Sequence, residues 1–166
     1  MMSETLIWSL EKARQQTFSL VEDLREDQMC LRTAAGENHP TWILGHLLLG
    51  DTYLLSMLKV KELSDEFSVL LSKYGPDSRP TSVLENHDSK QVLVEKLTET
   101  GILRIDAIRA LDDLDEPTPD ETLAQTQPTI GHHLHILVFH EGHHCGQLSS
   151  WRKAHGLSSV RGIFAS

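Results

Sequence analysis

The sequence predicts an all-α four-helix bundle, on three observations. Apolar residues recur at near-helical spacing in four long stretches. Strand signals are scarce: aromatics make up 5% of the chain, and no period-2 run is bounded by tight-turn dipeptides. Polar, Pro-containing segments join the four stretches, and they are long enough to permit crossover connections.

The chain of 166 residues suits one domain spanning 1–166 with a single sizeable core. Twenty-four acids against 15 bases give a formal charge of −9. No cluster of five or more Lys/Arg appears, which argues against a nucleic-acid or anionic-membrane partner. Apolar runs such as "LLL" are too short to span a bilayer. The N-terminal "MMSETLIWSLEKARQQ" carries acids early and has no basic region before an apolar block, so the expected compartment is the cytoplasm. Cys30 and Cys145 form no CxxC pair and are expected as reduced thiols.

The first helix is expected from about Ser3, a plausible N-cap, to Gln28, with Leu6, Ile7, Leu10, Ala13, Phe18, Val21 and Leu24 at helical spacing. "LREDQMCLRTAAGENH" loses the pattern. Asn38 or His39 precedes Pro40, a favoured first-turn residue, so a second helix opens there and runs to about Val60. The stretch Lys61–His87, with Gly75, Pro76 and Pro80, reads as a long connection that shapes a pocket mouth. A third helix follows Asp88 or Ser89, and "DEPTPDETLAQTQP" is another loop. The fourth helix starts near Pro128 or Thr129 and ends about His155, where Gly156 is a stop signal. The tail "LSSVRGIFAS" is expected to pack loosely.

Most of the ten histidines lie in the fourth helix. At about 100° per residue, with His140 at zero, His144 falls near 40°, Leu137 near 60°, Leu148 near 80°, Trp151 near 20° and Gln147 near −20°. That apolar, inward face carries two imidazoles one turn apart, a spacing that lets both meet one ion at about 2.0–2.1 Å. A third ligand is needed, and His46 offers it. On the second helix Trp42, Ile43, Gly50, Tyr53 and Met57 lie within about 60° of His46, which makes it a lone imidazole on an apolar stripe. Gly45 and Gly50 each cost roughly 1 kcal/mol of helix propensity relative to Ala. Tight helix approach or room for a ligand would account for that cost. His133 shares the direction of His140 but sits about 10.5 Å away along the axis, too far to share the ion. His135 points outward, and His143 and His132 lie at the boundary. Glu141 points about 100° from His140 and is expected as a solvated bystander. Cys145 lies off the face as a small buried residue. Gln147 is directed to bond a ligand imidazole.

These two segments, "TWILGHLLLGD" and "HEGHHCGQLSSWRKAHG", resemble the DinB-like (YfiT-like) family of metal-binding four-helix bundles. The matching residues are Trp42, His46, His140, His144, Gly146, Gln147 and Arg152. The resemblance implies that His46, His140 and His144 hold one divalent metal, commonly zinc or nickel, with positions left open for water or substrate. It also implies an up-down-down-up bundle, often a homodimer. The family's activities are thiol-dependent S-transfer and isomerisation with low-molecular-weight thiols such as bacillithiol or mycothiol, and related domains act in thiohistidine synthesis. The expected partners are therefore a small-molecule thiol and an electrophilic substrate. The alternatives are a metal-dependent hydrolase on the same ligands and a non-catalytic metal- or small-molecule-binding bundle.

Overall fold

A computed structural model describes residues 2–34 and 38–164 of the chain. The architecture is all-helical: α1 (Met2–Val21), α2 (Pro40–Met57), α3 (Asp65–Tyr74), α4 (Lys90–Arg109), α5 (Glu121–Ala124) and α6 (Ile130–Ala154). Among the described residues there is no strand, only the isolated bridge between Pro117 and Thr129. The four long helices match the expected ones but are shorter, 18 to 25 residues. The side chain of Ser3, the expected first cap, lies outside the described residues, and the helix already includes Met2. α1 stops at Val21, and only a 3-10 turn, Glu26–Gln28, follows.

The caps explain the remaining bounds. The His39 side chain accepts from the Trp42 N–H, and Pro40 takes the first turn of α2, where its missing N–H costs nothing. α2 ends at Met57 instead of Val60 because Lys59 adopts a left-handed φ of 59°. The Val60 N–H then turns back to the Leu55 C=O at 2.8 Å. Ser89 accepts from the Val92 N–H at the start of α4, and Thr129 accepts from the His132 N–H at the start of α6. Gly156, at φ 71°, terminates α6 as its sequence position suggested. The segment Lys61–His87 is not a plain loop, since α3 lies within it and packs along α2. The tail is also more ordered than expected: Arg161 Nε donates to the Ser19 C=O at 2.7 Å and the Ile163 N–H to Gln16 Oε1 at 3.0 Å.

Two apolar clusters fix the topology. One joins Leu6, Ile7 and Leu10 near the start of α1 to Leu54 late in α2, Ile105 and Ile108 late in α4, and Ile130 and Leu134 early in α6. The other joins Leu20 and Val21 late in α1 to Ile43 and Leu44 early in α2, Leu93 early in α4, and Leu148 and Trp151 late in α6. α1 and α6 thus run one way and α2 and α4 the other, an up-down-down-up bundle. Each fully buried Leu or Ile contributes roughly 1.5–3 kcal/mol. α1 packs closely on α6 and α2 on α4. The functional side chains lie along the seam between α2 and α6.

Candidate metal centre

The three expected ligands converge. His140 Nε2 lies 3.1 Å from His46 Nε2 and 3.0 Å from His144 Nε2. Ligand nitrogens bound to one ion at about 2.0–2.1 Å stand about 3 Å apart, so the spacing fits shared ligation. The outer nitrogens say which proton is where. His46 Nδ1 lies 2.7 Å from the Tyr74 C=O, which can only accept. His144 Nδ1 lies 2.9 Å from Gln147 Oε1, while the Gln147 amide nitrogen lies 3.0 Å from His143 Nε2. Both Nδ1 atoms therefore carry the proton, and the Nε2 atoms of His46 and His144 present bare lone pairs. His140 can place at most one proton among them. A cation satisfies all three acceptors at once, so the residues present fit a bound metal.

A proton is a poor substitute for that cation. Burial pushes the His140 pKa down to about 4 and the His144 pKa down to about 3, with the neighbouring histidines adding to the effect. Burial also lowers His46, against the opposing hydrogen bond to Tyr74. All three rings thus stay neutral near pH 7, the form that ligates metal. His144 is buried, whereas His46 and His140 are partly exposed, so the cluster is open on one side. Three protein ligands with an open side is the arrangement of a catalytic metal rather than a closed structural one.

The surrounding structure holds the rings in place. The Trp42 ring stacks on His46 at 4.6 Å and 11°, and its Nε1–H donates to Ser78 Oγ at 2.8 Å. Tyr74 is the last residue of α3, so His46 bonds to a helix-terminal carbonyl with no partner inside the helix. The Tyr74 ring sits over Gly45, where a Cβ would overlap it. That close approach is the reason for the glycine. Gly50 has a different role: a Cβ there meets nothing, and the residue lines a cavity of about 10 Å³ beside His140. Segment 61–87, expected at a pocket mouth, backs His46 through Tyr74 and Ser78.

Behind this cavity lies a layer of charges with one contribution from each long helix. Asp51 accepts from Arg14 Nη1 and Nη2 at 3.0 Å, from Arg104 Nη1 at 2.8 Å and from Thr100 Oγ1 at 2.8 Å. Glu141 accepts from Arg14 Nε at 2.6 Å and from Thr17 Oγ1 at 3.0 Å. Glu141 is only 1% exposed, so the expectation of a solvated bystander is wrong. Its direction, about 100° from His140, turns it into the bundle toward α1. Burial alone would raise the Asp51 pKa, but Arg14 and Arg104 overcome this and lower it. Sequence reasoning gave Asp51, Arg14 and Arg104 no role. The signal was present in an acid on the otherwise apolar "LLLGDTYLL", which demands a buried cation.

The other expectations divide. Cys145 is buried beside Thr17, and burial raises its thiol to about 11, which keeps it protonated. His135, His132 and His143 are exposed, and buried His133 bonds Gln127 Oε1 at 2.5 Å. Arg152 lies away from the cluster and clamps α6 to the end of α1 through Asp23 and the Leu20 C=O. A second group, Cys30, His39 and His87, also places one ligand atom each within 4.8 Å of the others. Three of its four imidazole nitrogens are already committed, and the buried His87 Nδ1 has no partner. His39 Nδ1 accepts from the Trp42 N–H, and Nε2–H of both His39 and His87 donates to the Thr81 C=O at 2.9 Å. Two donor protons thus converge on one carbonyl, and the group differs from the first in that only His87 Nδ1 keeps an unshared lone pair.

Residues 9–148 match the DinB superfamily. Among curated proteins none matches the chain. No helix among the described residues is long and apolar enough to cross a membrane.

Proposed function

The chain belongs to the DinB superfamily, and from that premise we propose that it is a metal-dependent thiol S-transferase, with a divalent ion on His46, His140 and His144. The observation that supports this reading is the meeting of three neutral imidazole nitrogens on a partly open side of the bundle. Imidazole donors suit zinc or nickel. Such an ion supplies Lewis acidity, which lowers the pKa of a thiol or water that reaches it.

The chain's own residues prepare that chemistry. Tyr74 C=O and Gln147 Oε1 fix two of the rings with their lone pairs inward. The Trp42 ring covers one face of His46 and keeps water from it. His46 and His140 are partly exposed, and reactants would approach from that side. In the reaction the thiol gives its proton to solvent. Its sulfur lone pair forms a bond to an electrophilic carbon, and the leaving group departs with the electrons of its own bond.

The test is elemental analysis followed by thiol conjugation with low-molecular-weight thiols and a panel of electrophiles, with and without added zinc or nickel. The expected result is ion-dependent turnover that His144→Ala abolishes while circular dichroism stays unchanged. An ion bound without turnover across the panel would leave a non-catalytic metal-binding protein in its place.

A further inference from the structure

On the side of the bundle opposite the histidines, α1 and α4 part to leave an open groove of about 840 Å³, within the size range of small-molecule sites. Phe18, Val94, Leu97 and Ile105 make its floor apolar, and the guanidinium-bearing residues Arg14 and Arg104 line its inner side. Two further observations point to an occupant. Arg104 is 2% exposed, and its Nε–H has no hydrogen-bond partner, an expensive omission for a buried donor. Gly101 lies in the middle of α4 and lines the groove, at a helix cost of about 1 kcal/mol relative to Ala. Packing does not require it: a Cβ there would stand 3.7 Å from Arg14 Nη1, an ordinary contact. A side chain at Gly101 would stand between the groove and the Arg14 guanidinium.

The charges select the kind of molecule. Arg14 and Arg104 are already balanced by Asp51 and Glu141. On the rim, Glu11, Glu22 and Asp106 outnumber Lys90 and Arg109. An anion gains nothing in such a place, and a cation would face two guanidiniums. We propose that the groove binds an uncharged, elongated apolar molecule that offers one carbonyl-type acceptor to Arg104. The site shares no ligand residue with the metal centre.

Prodan, a neutral naphthyl ketone, is a suitable probe, with the anionic anilinonaphthalenesulfonate as its comparison. The expected result is saturable, blue-shifted prodan fluorescence at one probe per chain, and binding of the anion at least tenfold weaker. Gly101→Leu and Thr98→Phe fill the groove from different positions. Each is expected to weaken prodan at least tenfold while circular dichroism and metal content stay unchanged. Three results would overturn the proposal. The first is absence of saturable prodan binding, and the second is binding that both variants leave intact. The third is a wild-type dimer that Gly101→Leu converts to a monomer, which would assign the groove to a second copy of the chain.

Discussion

Two polar clusters lie side by side inside the bundle, and they differ in whether their charges and lone pairs are balanced. In the layer of Arg14, Asp51, Arg104 and Glu141, cations face anions, and Asp51 alone takes four hydrogen bonds. In the cluster of His46, His140 and His144, lone pairs face lone pairs. The first arrangement is balanced in charge, with the Arg104 Nε–H as its one unpartnered donor among the described residues, and ties the four long helices together. The second leaves lone pairs unmet, which a cation would satisfy. Burial alone therefore does not mark a functional site. The mark is a set of buried groups whose hydrogen-bonding needs the protein leaves unmet.

The comparison breaks most severely at Asp51. Asp51→Ala leaves two buried guanidiniums short of their partner, and a loss of about 3–5 kcal/mol in denaturant unfolding is expected, with or without metal. Losing one imidazole from the open cluster should not unfold the metal-free protein in this way.

Acid separates the two clusters next. The folded-state pKa values of His140 and His144, about 4 and about 3, lie below the unfolded value of about 6.5. The unfolded chain therefore takes up these protons first. Their contribution is undiminished above about pH 6.5 and declines as pH falls toward 4. Asp51, lowered by its arginines, keeps its full contribution above the carboxylate range and loses it only as pH falls through and below that range. Burial lowers His39 and His133 as well, so the readout is the difference between wild type and His140→Ala. The variant should have the shallower decline from pH 6.5 to 4 in unfolding curves.

Metal sharpens the contrast from the other side. At an ion concentration of 100 times Kd, wild type should gain about 2.7 kcal/mol, and His144→Ala nothing, as read by the shift in Tm. Asp51 variants that still fold should keep a gain. Removing the hydrogen bond behind one ligand is a smaller perturbation. Gln147→Leu frees the His144 ring and should weaken metal binding by about 10–100-fold in a competition titration, with little change in stability of the metal-free protein.

Much of this was legible in the residues. The helical spacing of His46, His140 and His144 against apolar neighbours foretold that the three imidazoles meet, because a 3.6-residue period converts sequence directly into direction. The helix starts were legible to within one residue, with His39, Ser89 and Thr129 each one of two candidates, and the stop at Gly156 was legible for the same local reason. α3 was missed although Phe67, Leu70, Leu71 and Tyr74 have helical spacing and Asp65 and Glu66 favour its first turn. Gly75, Pro76 and Pro80 outweighed ten residues of pattern. Without α3 there was no carbonyl behind His46 and no reason to expect Tyr74 over Gly45. Glu141 was misplaced for another reason. A helical wheel gives its direction but not the neighbour in that direction, and Arg14 is 127 residues away.

The most direct measurement of the central claim is metal content per chain in protein purified without chelator and loaded with zinc or nickel. The result expected is one tightly held ion in wild type and in Glu141→Gln, and none in the double variant His140→Ala/His144→Ala. Far less than one ion in wild type, or an ion retained by the double variant, would contradict it.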